Sequence, residues 1–449
     1  MTDRVPSGLL RWDAHQRGRV FALLRFSLLF WACVYFALVA VSGHTYFRSI
    51  AFGLAASFSL WLVLGSLFSD NEPMPVPPVA LLATILAWAA WCTASLAWSI
   101  HPAYSRAEVG TEIGWGLATA AMFFVATRAA YAFRIILTTV VLVTALLAVM
   151  ALHAALTTSG FDPDYALVHR HGGVGAYSTL IVLVVPLLPL LAAPRPLGYG
   201  SGWLPLLAAS VVFALLLVAA RITENRMIWV ALAVGLVLAA ALAAWRWRQL
   251  LRRAPLRWGA ALLVLLLVVG TLFVDAALQR AHEGFRPKES VAQALADDPR
   301  IVLWQHTFER IAERPWTGFG YGKSILREEL QGEMGDPMLA HAHNIFVSQW
   351  LQAGAIGAAL LCAMLGALAW CYVRYLRAPD GTLAAIGVAG LVMLATFVVK
   401  NLTDDFLIRP TSKEFWALNA VLIGIGLRMQ LGFPGAAAPP ASEAAVTRS

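Results

Sequence analysis

A histidine beside a long apolar segment is the first residue in this sequence that could carry out chemistry. His343 is followed by Asn344 and then by an apolar stretch long enough to enter a membrane. Histidine is the natural general base near neutral pH, and this position predicts a held, partly desolvated side chain. His341, two residues earlier, is the rival candidate. We expect Asn344 to fix the surroundings of whichever histidine acts.

Three arginines close to predicted helix ends could bind an anion. Arg221 and Arg226 flank a tight turn between two apolar segments, and Arg300 lies in the first turn of a predicted helix. Arginine stays charged and offers a rigid fork of donors that suits phosphate and pyrophosphate. The pattern therefore predicts a pyrophosphate clamp made by Arg300 with either Arg221 or Arg226. The alternative, in which the Arg221/Arg226 pair reaches lipid headgroups, stays open.

The helix that would carry Arg300 has a clear start signal. Asp298 suits the N-cap position and Pro299 suits the first helical position. Apolar residues follow at 301, 304, 308 and 311, a helical stripe. We expect this helix to lie against the outer face of the membrane-embedded part, with Trp304 and Trp316 at interfacial depth. A glycine-rich turn over residues 315–322 follows it.

A further charged pair is predicted at the end of an apolar segment. An unpaired lysine near a membrane is costly, so Lys400 should pair with Asp404 or Asp405. Such a pair is either structural or serves to orient a catalytic group.

The composition excludes a soluble protein. The 449-residue chain is 60% hydrophobic and 13% charged, against about 25% charged in soluble domains. The formal net charge of +8 fits basic loops and contacts with membrane lipids better than binding of nucleic acid. The four cysteines lie in or beside apolar segments and are expected to be buried, unpaired side chains.

Apolar length predicts an all-α integral membrane protein with about twelve transmembrane helices. The predicted spans are residues 20–42, 50–69, 79–99, 110–128, 132–156, 173–194, 203–220, 227–245, 256–277, 345–373, 382–402 and 413–431. This divides the chain into transmembrane helices 1–9 (1–277), a helical loop (278–344), transmembrane helices 10–12 (345–433) and a disordered tail (434–449). Arg and Lys are more frequent on the side of the termini, which predicts cytoplasmic termini and an outward-facing loop.

Several motifs in the second half of the chain resemble those of a known family when they are taken in order. They are Asn225-Arg226-Met227-Ile228-Trp229, Arg300-Ile301-Val302-Leu303-Trp304, Pro315-Trp316-Thr317-Gly318-Phe319-Gly320, and His343-Asn344 followed by Gly354-Ala355-Ile356-Gly357. This set resembles the O-antigen ligase and polymerase superfamily of bacterial membrane glycosyltransferases. Family members more often have serine before the arginine where Asn225 stands, which leaves the choice between Arg221 and Arg226 open.

The resemblance implies a GT-C-like fold in the bacterial inner membrane, with a periplasmic loop between spans 9 and 10 over a laterally open cavity. It implies transfer of a polysaccharide from undecaprenyl pyrophosphate to a sugar hydroxyl of the lipid A core, with no cofactor or metal. His343 and Arg300 would be catalytic. Substrate would be bound by Arg221, Arg226, Asn344, Trp304 and His341.

Other functions on the same scaffold stay open. An O-antigen polymerase or a protein O-oligosaccharyltransferase would use the same histidine and arginines. A lipid or polysaccharide transporter is disfavoured, because its signature is charge at mid-span, whereas these charges gather at the predicted outer edge of the membrane.

Overall fold

The computed structural model describes residues 14–41, 43–67, 75–158, 160, 162–194, 197–200, 202–251, 255–282, 300–335 and 339–432. All regular structure within these residues is helical, which confirms the predicted all-α class. The helices are α1 (Ala14–Ala40), α2 (Thr45–Leu67), α3 (Val79–Ala94), α4 (Pro102–Glu108), α5 (Trp115–Ala126), α6 (Ala130–Thr157), α7 (Pro163–His171), α8 (Val174–Val184), α9 (Trp203–Ile222), α10 (Arg226–Arg246), α11 (Arg248–Leu251), α12 (Pro255–His282), α13 (Arg300–Glu313), α14 (Arg327–Met334), α15 (Ile345–Leu376), α16 (Gly381–Lys400) and α17 (Arg409–Gln430). Short 3-10 segments follow α3 and α8, and one π-helical turn joins α4 to α5.

Ten of the described helical segments are long and apolar enough to cross a membrane. They comprise α1, α2, α3, the continuous α4–α5 segment, α6, α8 with its 3-10 extension, α9, α10, α15 and α16. α12 has a shorter apolar stretch, Gly259–Asp275. α17 carries charged residues at both ends. The multi-pass character is therefore confirmed, whereas the number of twelve spans stays a prediction.

Antiparallel packing brings several helix ends together with residues 300–344. Ile100, just before α4, donates to the carbonyl of Phe319 at 3.0 Å, and Ile345 donates to the carbonyl of Asn401 at 3.0 Å. Gly235, in the middle of α10, packs against Thr396 near the end of α16. We call this end of the helix bundle the loop face. The side of the membrane that it meets, including the predicted cytoplasmic termini, stays a prediction.

The long helix α15 is broken near its start. Gly354 has φ +70° and ψ −178°, a conformation that side chains rarely adopt. The backbone of Trp316, in the glycine-rich turn, occupies the space where a Cβ on Gly354 would lie. The break therefore requires glycine both for its backbone angles and for the close approach of the turn.

The turn supplies the hydrogen bonds that the broken helix lacks. The N–H groups of residues 319–320 donate to the carbonyls of Leu351 and Gln352 at 3.0 and 2.9 Å. In the opposite direction, the N–H of Ala355 donates to the carbonyl of Pro315 at 2.8 Å. Buried backbone groups must be satisfied, so the turn and the helix break depend on each other.

The buried face of helix α13 agrees with the predicted stripe at Ile311 and departs from it at residues 301 and 308. Leu303, Thr307 and Ile311 are its buried residues, whereas Ile301 and Phe308 are 44% and 45% exposed. The buried face packs in a small cluster with α14 and the start of α15. Residues 283–299 directly before α13, which include Asp298 and Pro299, lie outside the described residues, and so does the predicted disordered tail 434–449.

Candidate active site

His343 lies at the loop face in a conformation that is unusual for its residue type. Its φ is +48°, and the residue is 8% exposed. Trp304 on α13 donates from its indole nitrogen to the carbonyl of Ala342 at 2.7 Å, which holds the preceding residue. A left-handed conformation in a non-glycine residue costs about 1–2 kcal/mol. The surrounding contacts must therefore impose it on His343.

Asn344 holds the chain immediately after the histidine. Its side-chain oxygen accepts hydrogen bonds from the N–H groups of Phe346 and Val347 at 2.9 and 3.2 Å, which makes it the N-cap of α15. Its amide nitrogen donates to the carbonyl of Leu402 at 3.0 Å. The amide thus fixes the surroundings of His343, and direct contact between Asn344 and substrate stays a prediction.

Asp404, in the connection between α16 and α17, joins the two histidines. One of its oxygens, Oδ1, lies 3.1 Å from His341 Nε2 and 3.7 Å from His343 Nδ1. The same oxygen lies 3.1 Å from Lys323 Nζ, which also donates to the carbonyl of Asp405 at 2.7 Å. The two imidazole rings lie 3.8 Å apart. We call His341, His343, Asp404 and Lys323 the histidine–aspartate cluster.

The cluster is electrostatically polarised. Burial favours a raised pKa for Asp404, but the Lys323 ammonium, the hydrogen bond with His341 and the nearby His343 ring outweigh it and hold that pKa well below its usual range. Burial lowers the pKa of His341 to about 3, with the charge of Lys323 acting in the same direction. Asp404 is therefore a carboxylate, and His341 is a neutral hydrogen-bond donor to it.

His341, His343 and Asp404 are also the kind of group that could hold a metal ion. Their potential ligand atoms lie within 4.8 Å of one another. However, the Lys323 ammonium lies 3.1 Å from the same carboxylate oxygen that a metal would use. A divalent ion would have to displace this cation, so the arrangement fits a lysine-neutralised carboxylate better than a metal site.

Arg300 and Trp304 lie one turn apart on α13, so they share a face of that helix. The charge of Arg300 acts on Lys400 at the end of α16, which places the arginine among the cations around the cluster. Lys400 itself lies over the ring of Phe406 at 4.4 Å, while Asp404 makes its short ion pair with Lys323. The loop face thus brings an arginine to the neighbourhood of the histidines.

The two alternative clamp arginines differ in their surroundings. Arg221 Nε donates to Asp275 Oδ2 on α12 at 2.6 Å, and both side chains are partly exposed. Arg226 is the first residue of α10, whose N-cap Asn225 accepts a hydrogen bond from Met227 N at 3.1 Å. The salt bridge to Asp275 occupies the Nε of Arg221, and the choice between Arg221 and Arg226 as the anion contact stays a prediction.

The structure therefore brings His341, His343 and Asn344 together with Trp304, and it places Arg300 nearby on α13. The sequence pattern does not assign Lys323 to the site, and it predicts Asp404 or Asp405 as the partner of Lys400, in a pair that is either structural or orients a catalytic group. The position of Lys323 directly after the glycine-rich turn was the available signal. Its hydrogen bond to Asp404 spans 81 residues of sequence, which no local pattern predicts.

An apolar cavity lies elsewhere in the bundle. It has a volume of about 820 Å³ and lies between α10, α16 and the 3-10 segment Val185–Ala192. None of the described residues lining it is titratable. It is therefore unsuited to acid–base chemistry, and the polar site at the loop face is the candidate active site.

Comparison with known proteins agrees with the motifs. Residues 211–362 match the family described as O-Antigen ligase (Wzy_C). The chain is also 26% identical over 162 residues to a "General O-oligosaccharyltransferase" of Acinetobacter baylyi (strain ATCC 33305 / BD413 / ADP1). That match covers 33% of this chain and 28% of the length of the relative.

The fold and these matches define a class: a multi-pass, all-helical membrane protein whose central segment is similar to O-antigen ligase-type glycosyltransferases. The resemblance to the O-antigen ligase superfamily is thereby confirmed. Arg226, Arg300, Lys323 and His343 all fall within the matched residues 211–362, and Asp404 reaches the site from outside them.

Proposed function

We propose that this protein is an O-antigen ligase of the bacterial inner membrane. It would transfer a polysaccharide from undecaprenyl pyrophosphate to a sugar hydroxyl of the lipid A core on the periplasmic side. The observation that carries this proposal is the position of His343, held beside a carboxylate at the loop face within the segment that matches the O-antigen ligase family. No cofactor is needed for the reaction.

The proposed role of His343 is that of general base. Its Nδ1 faces Asp404 at 3.7 Å, so Nε2 is the nitrogen assigned to the acceptor hydroxyl. As the hydroxyl oxygen bonds to the anomeric carbon, its proton moves to Nε2. The Asp404 carboxylate then stabilises the imidazolium, as a carboxylate does for the histidine of a catalytic triad. A single displacement of this kind inverts the anomeric centre.

The leaving group in the same step is the lipid pyrophosphate. The bond between the anomeric carbon and the pyrophosphate oxygen breaks, and negative charge grows on that oxygen. Arg300 and Arg226 are the proposed donors that stabilise this charge, with Arg221 as the alternative to Arg226. Trp304 supports this arrangement because it ties α13, which carries Arg300, to the backbone beside His343.

A second candidate is a protein O-oligosaccharyltransferase. The named relative from Acinetobacter baylyi favours it, since its match covers part of this chain. In this alternative, the acceptor hydroxyl that gives its proton to the same base would belong to a serine. An O-antigen polymerase, with a lipid-linked glycan as acceptor, would use the same chemistry.

The product distinguishes these functions. Purified protein is reconstituted with undecaprenyl-pyrophosphate-linked O-antigen and offered either rough lipopolysaccharide, a serine-containing acceptor protein, or no second acceptor. We expect capped lipopolysaccharide only, with the same rate in chelator. Glycosylated protein would instead assign the protein as an O-oligosaccharyltransferase, and a lengthened lipid-linked polymer would assign it as a polymerase. Loss of activity in chelator would show that the reaction requires a metal ion, with the histidine–aspartate cluster as its candidate site.

A further inference from the structure

A polar cleft of about 690 Å³ opens on the loop face next to the histidine–aspartate cluster. Its volume is within the range of about 300–1,000 Å³ that is typical of ligand sites. Three parts of the chain form its walls: residues 100–104 with Glu108 on and just before α4, residues 323–325 with 327–328, and residues 408–409 at the start of α17. None of these residues has a role in the donor clamp.

The cleft and the cluster share Lys323. This side chain lines the cleft, and its ammonium also contacts Asp404 Oδ1 at 3.1 Å. Asp404 in turn faces both histidines. A ligand in the cleft is therefore separated from the proposed base by one shared lysine–carboxylate pair.

The walls are fixed in place by contacts between them. Tyr104 Oη on α4 accepts a hydrogen bond from the N–H of Ser324 at 3.0 Å. On the third wall, the N–H of Arg409 donates to Glu112 Oε2 at 2.7 Å. Arg409 has φ +52°, so this contact holds the residue in a strained conformation while its side chain lines the cleft. The cleft is thus a pre-formed feature.

The lining chemistry identifies a class of ligand. Arg327, Arg409 and Lys323 contribute positive charge, and Glu108 and Glu328 contribute carboxylates. Tyr104 and His101 add rings that can cover a sugar face. Such a surface would not accept an isoprenoid tail, because a tail requires an apolar groove. It suits a hydroxyl-rich chain that carries phosphate or carboxylate groups.

We propose that this cleft binds the acceptor, an anionic oligosaccharide, with its phosphate or carboxylate group at Arg327 and Arg409 and its reacting hydroxyl directed to His343. This inference rests on the proposed transfer function and assigns the acceptor and the donor to separate walls of one site. The donor pyrophosphate lies with the arginines of α10 and α13, and the acceptor lies with α4, residues 323–328 and Arg409.

A binding measurement tests this without requiring transfer. The probe is a deacylated, phosphorylated core oligosaccharide, compared with the same oligosaccharide after phosphatase treatment, on full-length protein in detergent. We expect Arg327→Glu to weaken binding of the phosphorylated probe at least about tenfold, as for loss of a charge-assisted hydrogen bond. Arg106→Glu is the matched control, because Arg106 is exposed on α4 but does not line the cleft. It should change binding less than about twofold.

Transfer assays on the same variants complete the test. Arg327→Glu should raise the acceptor KM at least about tenfold and leave the donor KM and kcat within about twofold. Equal probe binding by both variants, no binding by wild type, or no preference for the phosphorylated probe would overturn the cleft assignment and leave the transfer function standing. Binding of a serine peptide to the wild type, with no binding of the glycan probe, would also overturn it. Specific probe binding without any transfer by wild type would support the cleft and overturn the ligase function.

Discussion

Strained residues coincide with the proposed chemistry. Among the described residues, three non-glycine residues have positive φ: Glu224 (+52°), His343 (+48°) and Arg409 (+52°). Glu224 lies in the turn between Arg221 and Arg226, His343 is the proposed base, and Arg409 lines the cleft. Each such conformation costs free energy that the fold must supply, and such residues concentrate at functional sites. Backbone strain therefore points to the same three places as the side-chain chemistry.

The role of His343 can be tested without disturbing its backbone. Asparagine tolerates the left-handed conformation better than other residues but cannot act as a base at this position. We expect His343→Asn to reduce transfer by about 10²–10⁴-fold while protein levels stay unchanged. His306→Asn is the control, because His306 is a partly exposed histidine on α13, paired with Glu309 and Glu333. Normal lipopolysaccharide ladders from His343→Asn cells would refute the assignment.

If Arg300 binds the donor pyrophosphate, its substitution should reduce transfer more than substitution of Arg314, the arginine at the other end of the same helix. Arg300 begins α13, and Arg314 follows its end, exposed and stacked over the ring of Phe319 at 5.1 Å. Arg300→Ala should lower kcat/KM for the lipid-linked donor about ten- to a hundredfold, because it removes a charged donor to the pyrophosphate. Arg314→Ala should change it less than about twofold. Equal losses in both variants would show that neither arginine acts specifically on the donor.

At the scale of elements, the break in α15 positions the site. The glycine-rich turn inserts into the break, and the N–H of Gly322 donates to Gln352 Oε1 at 3.0 Å. Lys323 follows immediately and contacts Asp404. His343 and the N-cap residue Asn344 lie directly before the first residue of the same helix. One helix therefore determines the position of the base and, through the turn, of the lysine that neutralises its carboxylate.

This dependence predicts opposite effects of two glycine substitutions in α15. Gly354→Ala would force alanine into a backbone conformation (φ +70°, ψ −178°) that is essentially restricted to glycine, at about 1–3 kcal/mol, and into contact with the backbone of Trp316. We expect a lower melting temperature in detergent and loss of transfer. Gly366 lies in the same helix with open space around its Cα, so Gly366→Ala should be neutral or stabilising by up to about 1 kcal/mol. Similar melting temperatures for the two variants would mean that the break is dispensable.

The limits of sequence reasoning also appear at this scale. Apolar length is sufficient to predict most of the membrane helices, and residue type with position predicts roles for His343 and Arg300, which stay predictions. The buried face of α13 was predicted only in part: Ile311 is buried as expected, but Ile301 and Phe308 are exposed and Leu303 is buried instead. Packing against α14 and α15 decides between them. The contact between Lys323 and Asp404 depends on how distant segments meet, which the local pattern does not encode.

For the whole molecule, polar chemistry is concentrated at one end of an apolar bundle. The histidine–aspartate cluster, the proposed clamp arginines and the polar cleft all lie at the loop face, whereas the apolar cavity is lined by residues that do not titrate. A lipid-linked donor and a glycolipid acceptor both present their polar parts at a membrane surface. This distribution supports a reaction at that surface rather than passage through the bundle.

Overall stability should depend on pH through His341. Its pKa is about 3 in the folded protein because of burial, whereas an unfolded histidine titrates near 6.5. The unfolded chain therefore binds a proton below about pH 6.5 that the folded protein does not. The neutral His341 therefore contributes fully to the free energy of unfolding above about pH 6.5, and this contribution falls by about 2 kcal/mol by pH 5.

Melting temperatures of wild type and His341→Gln at pH 7.5 and pH 5 measure this contribution. We expect the wild type to lose more stability between these pH values than the variant does. His306→Gln, which removes a partly exposed histidine, should behave like the wild type. An identical loss in wild type and His341→Gln would show that His341 does not titrate between the two states.

The break in α15 also has a consequence for biogenesis. A transmembrane segment is stable on its own only if its backbone groups are satisfied within it, and each unsatisfied group in lipid costs several kcal/mol. The carbonyls of Leu351 and Gln352 and the N–H of Ala355 are bonded to residues 315–320. The first turns of α15 therefore reach their final hydrogen bonding when residues 315–320 fold against them. An immature protein in which this turn has not yet docked would not hold the proposed base in place.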